Sequence, residues 1–275
     1  MSSQSAKVAS MGWFCLILFP LLVVPTLTMV PDTHSKPQSS VPWAEAMKVL
    51  ASNNLLWRLL AADLASGFGT AVSGALYIFV AATYFKLPEH ASIALLFYFL
   101  ASFLAMPIWL KLAYKVGKDV ALKIALLYAV VINLGLIPIA QEGSVVVLWG
   151  FTIAFGVAFG AAPTLLRSMM ADLTDEDELR SGQKRPGLFF ALLTTTNKLG
   201  AAFAVGASFA ILEVAFGFVP GGDNSSEALD GLLVTYCVGT AFGLFLAFLS
   251  MLKYPLDRTA HDEIRRELER RQKTE

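Results

Sequence analysis

The sequence predicts an all-α polytopic membrane protein with seven transmembrane helices, and three observations carry that prediction. Of 275 residues, 56% are hydrophobic and only 15% are charged, with a mean hydropathy of +0.63; an ordinary soluble domain is about 25% charged. The charges fall in blocks separated by apolar runs of about twenty residues, the length that crosses a hydrocarbon core about 30 Å thick. The lysines and arginines crowd into alternate connections between those runs, as the positive-inside rule requires.

Residues 1–30 form an N-terminal segment and a first span, apolar from Gly12 to Val30 and interrupted by Pro20 and Pro25. A cleaved leader fits this run less well. It is long for one, and Thr28-Met29-Val30-Pro31 is a poor cleavage site. Residues 31–58 read as a cytoplasmic linker: Pro31, Pro37 and Pro42 precede an octet with Trp43, Met47 and Leu50 on one face and Glu45 and Lys48 elsewhere. That pattern predicts a short interfacial amphipathic helix, and Arg58 marks the membrane edge. Residues 59–253 hold six further spans, near 59–83, 92–110, 120–140, 145–170, 187–216 and 229–252. Residues 254–275 form a charged, helix-prone cytoplasmic tail in which Glu263, Arg266, Glu267 and Arg270 stand at i,i+3 and i,i+4 spacing.

All of the 21 lysines and arginines except Lys7, Lys86 and Lys198 lie in the linker, the 111–123 and 167–185 connections, or the C-terminal stretch from Lys253. The rule therefore predicts an external N-terminus and a cytoplasmic C-terminus. Enzyme chemistry has no visible seat. Cys15 and Cys237 sit inside apolar runs, and the three histidines are scattered at 34, 90 and 261. No metal spacing, phosphate loop, nucleophile elbow or dinucleotide fingerprint occurs. Neither an enzyme nor a nucleic-acid partner is expected; the lipid bilayer is.

Lys198 is the ionisable residue set deepest in a span. It lies about eleven residues into its span, ~16 Å deep at 1.5 Å per residue, where a cation costs ~2.5–3.5 kcal/mol unless offset. Thr194, Thr195, Thr196 and Asn197, immediately before it, supply hydroxyls and an amide in the same turn. Two readings remain open: a buried ion pair joining two helices, or the lining of a water-filled site for a cation or polar substrate. Asp63, ~8 Å in from Arg58, reads as an interfacial carboxylate or as part of a cytoplasmic gate. Asp172, Asp175 and Glu178 recur at i, i+3 and i+6, followed by Arg180, Lys184 and Arg185. They form either a solvated hairpin or a clasp that closes the cytoplasmic side, a two-state element. Sets such as Ser66, Thr70 and Gly74, or Gly239 and Gly243, let helix backbones approach closely.

The motif Ala171-Asp172-x-x-Asp175-x-x-Glu178-Leu179, then Gly182-x-Lys184-Arg185-x-Gly187-Leu188-Phe189-Phe190-Ala191 and Lys198-Leu199-Gly200, resembles the signature of the glycoside–pentoside–hexuronide:cation symporters. These are the melibiose-carrier-like branch of the major facilitator superfamily. The approach through Arg58, the Trp109 to Lys118 connection and the segment from Tyr254 are similar to that family's entry to helix seven, its loop between helices eight and nine, and its C-terminal helix. The resemblance implies the C-terminal six-helix bundle of that fold with one preceding helix, covering helices six to twelve. It further implies alternating-access symport of a sugar, glycoside or other small polar solute with Na+ or H+ in a bacterial inner membrane, with no other cofactor. Lys198, Asn197, Thr195 and Thr194 would line the substrate and cation site. Asp172, Asp175, Glu178, Arg185, Lys115, Gly117, Lys118 and Asp63 would form the cytoplasmic gate. Transport then needs an N-terminal half, carried by a longer gene product of which this is a fragment, supplied separately, or rebuilt by a homodimer. A non-transporting membrane partner or remnant, and a lysolipid-type carrier of the same branch, are the alternatives.

Overall fold

The computed structural model describes residues 2–29 and 53–252, with residues 51, 254, 263, 264, 266, 267 and 270. The amphipathic octet 43–50, Lys36, Lys48 and most of the tail lie outside the described residues. Seven helices among those described are long and apolar enough to cross a membrane. Apolar helices suit that role because each satisfies its backbone polar groups internally, where lipid offers no partner.

Helix α1 spans Ser2–Met29 and is described by itself. Pro20 and Pro25 lie inside it, each removing one N–H from the ladder. The Thr26 and Thr28 hydroxyls donate to the carbonyls of Leu22 and Val24 at 2.9 Å, which keeps their own polarity away from lipid.

The remaining helices form a second unit. Helix α2, Asn54–Phe79, starts where the Asn53 carboxamide accepts the Leu56 N–H at 3.0 Å, and continues through a π turn at Val80–Tyr84. Helix α3, Pro88–Val116, places proline in its first turn, where no intrahelical donor is needed. Gly117, at φ +97, then turns the chain directly into α4, Lys118–Leu136. Only a residue without Cβ takes that conformation cheaply. The next span consists of α5, Val145–Phe159, and α6, Ala161–Ser181, broken at Gly160. Pro163 explains the break, since it cannot donate to the Phe159 carbonyl. The Trp109 indole donates across to Val157 O at 2.7 Å and the Tyr128 hydroxyl to Ala154 O at 2.8 Å, bracing the segment before the break. Helices α7, Pro186–Phe216, and α8, Ser226–Ser250, complete the bundle. The acidic run is thus helical to Ser181, and the connection that follows is only 182–185.

Opposite ends of the bundle collect opposite connections. Lys86 pairs with Glu142 at 2.5 Å and the Gly143 N–H bonds Phe85 O at 2.9 Å, joining two lysine-poor turns. At the other end Lys118 pairs with Asp172, and Arg58 donates to Leu252 O at 2.8 Å. The basic connections therefore share one end.

Small residues set the helix spacing. A methyl group added at Gly200 would collide with the Leu64 carbonyl, and one at Gly67 would sit 2.8 Å from Asn197 O. Gly243 packs on Gly69, and Gly156 on the backbone of Tyr98. Helix α2 is thereby pressed between α7 and α8, and its own Leu59 and Leu76 are fully buried.

Candidate functional site

A cavity of about 520 Å³ lies within the bundle, bounded by α2, α3, α5 and the inner faces of α7 and α8. Its size is that of a small-molecule site, typically ~300–1,000 Å³. Phe99, Phe151, Phe155 and Phe159 line it together with hydroxyls of α2, α3, α5 and α8, and the rings of Tyr98 and Tyr236 contact those phenylalanines. Gly74 leaves open space here instead of supporting a close helix contact.

Most of those hydroxyls have already spent their protons. Ser66 donates to Asp63 O at 3.2 Å, Tyr77 to Ala91 O at 3.2 Å and Thr152 to Leu148 O at 2.6 Å; Thr70 donates to Ser66 O. Ser73 and Tyr236 bond each other at 3.2 Å. A hydroxyl carries one donor and two lone pairs, so the cavity offers mainly acceptors. Tyr98 also lines it, and among the described residues its hydroxyl makes no hydrogen bond. Among the described residues, no carboxylate, lysine or arginine lines the cavity.

Just beyond its rim lies a polar cluster. Asp63, 5% exposed, faces α7, with Thr196 Oγ1 3.4 Å from one carboxylate oxygen and Asn197 Nδ2 3.4 Å from the other. Asn197 also lines the cavity, so it links the two. The close approach at Gly67 and Gly200 holds it there. Arg167, on α6, is near enough for its charge to act on Asp63, yet the two form no ion pair.

Of the four lining residues expected from sequence, the structure puts Asn197 on the cavity. Lys198 is exposed on α7, as are Thr194 and Thr195, whose hydroxyls donate to Phe190 O at 2.9 Å and Ala191 O at 2.8 Å. Thr196, of the same turn but outside the expected lining set, also bonds its own backbone, as mid-helix threonines commonly do. Asp63 sits with Asn197 and not among the charges at the basic end.

At that end, Lys118 Nζ bonds both oxygens of Asp172 at 2.7 and 2.6 Å. Arg185 Nε and Nη2 hold Asp177 at 2.8 and 3.0 Å, with side-chain exposures of 9% and 4%. Lys184 pairs with Glu178 at 3.2 Å, and Arg180 with Glu176 at 3.2 Å. Lys115 is exposed and joins none of these pairs, while Gly117 supplies the turn that presents Lys118. Asp175 lies on the turn between Asp172 and Glu178. Asp177 escaped the i, i+3, i+6 reading because it lies on a different face of the same helix. Tyr254 is buried beside this cluster. Burial, reinforced by the carboxylates of Asp172, Glu176 and Asp119, pushes its phenol well above the usual tyrosine range.

An all-helical, membrane-crossing bundle with a central cavity and one basic end has the architecture of a membrane transporter, not of an enzyme. Residues 1–258 match the MFS/sugar transport protein family, and the chain belongs to it. Among curated proteins it is 26% identical over 240 residues to an uncharacterized symporter of Synechocystis sp., covering 85% of this chain and 44% of that protein. It is 26% identical over 174 residues to the uncharacterized symporter YnaJ of Bacillus subtilis, covering 63% and 37%. To a sodium-dependent lysophosphatidylcholine symporter of Danio rerio it is 24% identical over 168 residues, covering 60% and 31%. The chain thus spans less than half the length of the curated relatives it matches.

Proposed function

We propose that α2 to α8 are the C-terminal half of a secondary active symporter, which moves a sugar, glycoside or related small polar solute with Na+ or H+ by alternating access. The observation that carries this reading is the cavity rimmed by Asn197 and lined by hydroxyl acceptors, which suit an uncharged solute bearing several donors. The membrane is a bacterial inner membrane, with the N-terminus outside and the C-terminus cytoplasmic; the shared basic end supports that sidedness. An N-terminal half, from the same longer gene product, a separate chain or a second copy, covers the exposed α7 face that carries Lys198, Leu199 and Phe203. There Lys198 meets solute, cation or a carboxylate of that half. Asp172, Lys118, Asp177 and Arg185 hold the cytoplasmic side and part when it opens.

The reading is tested by uptake of labelled glycosides into cells making the chain together with the first five helices of a carrier from this family. Gradient-dependent uptake is expected, and Asn197→Ala should lower it at least tenfold. Uptake indifferent to Asn197 removes this cavity from the solute path. A second reading, an amphiphilic solute, is favoured by the four phenylalanines of the cavity wall, against which an acyl chain would pack. Competition of glycoside uptake by a single-chain lipid separates the two.

A further inference from the structure

We propose that Asp63 is a proton-binding residue of this half, held neutral in the state described by donating its own proton to Thr196. This rests on the symporter reading for its role in transport, though not for its chemistry. The argument is one of hydrogen-bond accounting. Thr196 Oγ1 has one proton, and it lies closer to Leu193 O (2.9 Å) and Leu192 O (3.1 Å) than to Asp63 Oδ2 (3.4 Å). Mid-helix threonines donate to just those carbonyls. The proton is therefore committed, and lone pairs of Thr196 Oγ1 face Asp63 Oδ2.

Two acceptors facing each other at 3.4 Å repel unless a proton lies between them. A proton on Oδ2 turns Asp63 into the donor and leaves Oδ1 as the acceptor of the Asn197 amide at 3.4 Å. Every group is then satisfied. With the carboxylate ionised and 5% exposed, its donors would be that long amide contact and the Asn197 backbone N–H, both neutral, and buried anions need more. The charged groups around Asp63 are few. Helix α6 brings Arg167, which is not in contact. Helix α7 brings Lys198, exposed to the outside of the bundle. The charges of α8, Glu227 and Asp230, sit at its far end from the Gly69–Gly243 contact, and on α2 itself Arg58 is engaged with Leu252 O.

In transport, Asp63 takes a proton from water on one side and occludes it against Thr196. On the other side it releases that proton to water, and the anion left behind draws in Arg167. A sodium ion fits the same place poorly, since the Asn197 group that faces the carboxylate is its NH2 and the remaining oxygen partner is one hydroxyl.

The test is infrared spectroscopy on the purified chain, which needs no transport. At neutral pH a C=O band of a protonated, buried carboxyl group is expected; Asp63→Asn should remove it, and Thr196→Val should shift it. Asp63→Glu, which keeps an acid, guards against a folding defect and should retain a displaced band. No such band, a band untouched by Asp63→Asn, or a band abolished by Na+ at constant pH each overturns the proposal. In the co-expression assay, Asp63→Asn should abolish accumulation driven by a proton gradient while downhill exchange persists. Retained accumulation overturns the coupling role and leaves the symporter reading standing. A band lost in Asp63→Asn from a chain that transports nothing supports the proton site and counts against that reading.

Discussion

Asp63 and Asp177 are buried almost equally, 5% and 4% exposed, and are solved in opposite ways. Asp177, at the basic end of α6, is gripped by the Arg185 guanidinium through two bonds of 2.8 and 3.0 Å, the bidentate geometry that suits a carboxylate. Asp63, deeper in the bundle, meets neutral partners: a hydroxyl and a side-chain amide, both at 3.4 Å, and the backbone N–H of Asn197. Burial alone therefore does not say whether a carboxylate is charged. The partner does, and a strong cationic fork keeps a carboxylate ionised whereas weak neutral partners leave an acid free to exchange its proton.

The comparison breaks most sharply at Arg185. Arg185→Ala strands a buried anion, and should destabilise the bundle by ~3–5 kcal/mol in denaturant unfolding in detergent. Combining it with Asp177→Leu should recover most of the loss, and no recovery would mean that the pair does more than neutralise itself. Gly200→Ala comes next. Its methyl group meets the Leu64 carbonyl, pushing α7 from α2 at a cost of ~1–3 kcal/mol, and Asn197 moves off Asp63 with it. Crosslinking between cysteines placed on the two helices reports that separation. Asp63→Asn is the sharpening variant: if the acid is already neutral, its isostere should change stability by less than ~1 kcal/mol. A loss as large as that of Arg185→Ala would show an ionised, paired Asp63. The smallest effect belongs to Arg180→Ala. Its pair with Glu176 is exposed on the arginine side, and such i,i+4 pairs contribute ~0.3–0.5 kcal/mol.

The acidic run shows how far the linear pattern reaches. It marks a helix end rich in charge, and α6 does run through it to Ser181. Which acid is buried depends on what packs against each face, and Arg185 folds back onto Asp177 across the tight turn at Gly182, whose φ of +70 sends the chain home. Spacing of three chooses Asp172, Asp175 and Glu178 as neighbours on one face; it carries no information about what covers the adjacent face. Tyr254 illustrates the same limit, because nothing near it in sequence foretells the carboxylates of α4 and α6 around its phenol.

What the sequence determined by itself is the class of protein and its number of membrane-crossing helices. Both follow from local physics: a run of about twenty apolar residues must satisfy its backbone within itself in lipid, and blocks of charge must stay out of it. The signature around residues 171–200 likewise carried the superfamily, because those residues are adjacent in the chain. Only the tertiary structure decided which side of each helix faces inward. Lys198 and Asn197 are neighbours, yet one is exposed and the other lines the cavity, since consecutive residues on a helix point about 100° apart. The rotation of α7 is set by Gly67 and Gly200, 133 residues apart in the chain, where the absence of a side chain lets two backbones touch. Charge makes Lys198 conspicuous in a sequence, while packing is what places Asn197 against Asp63.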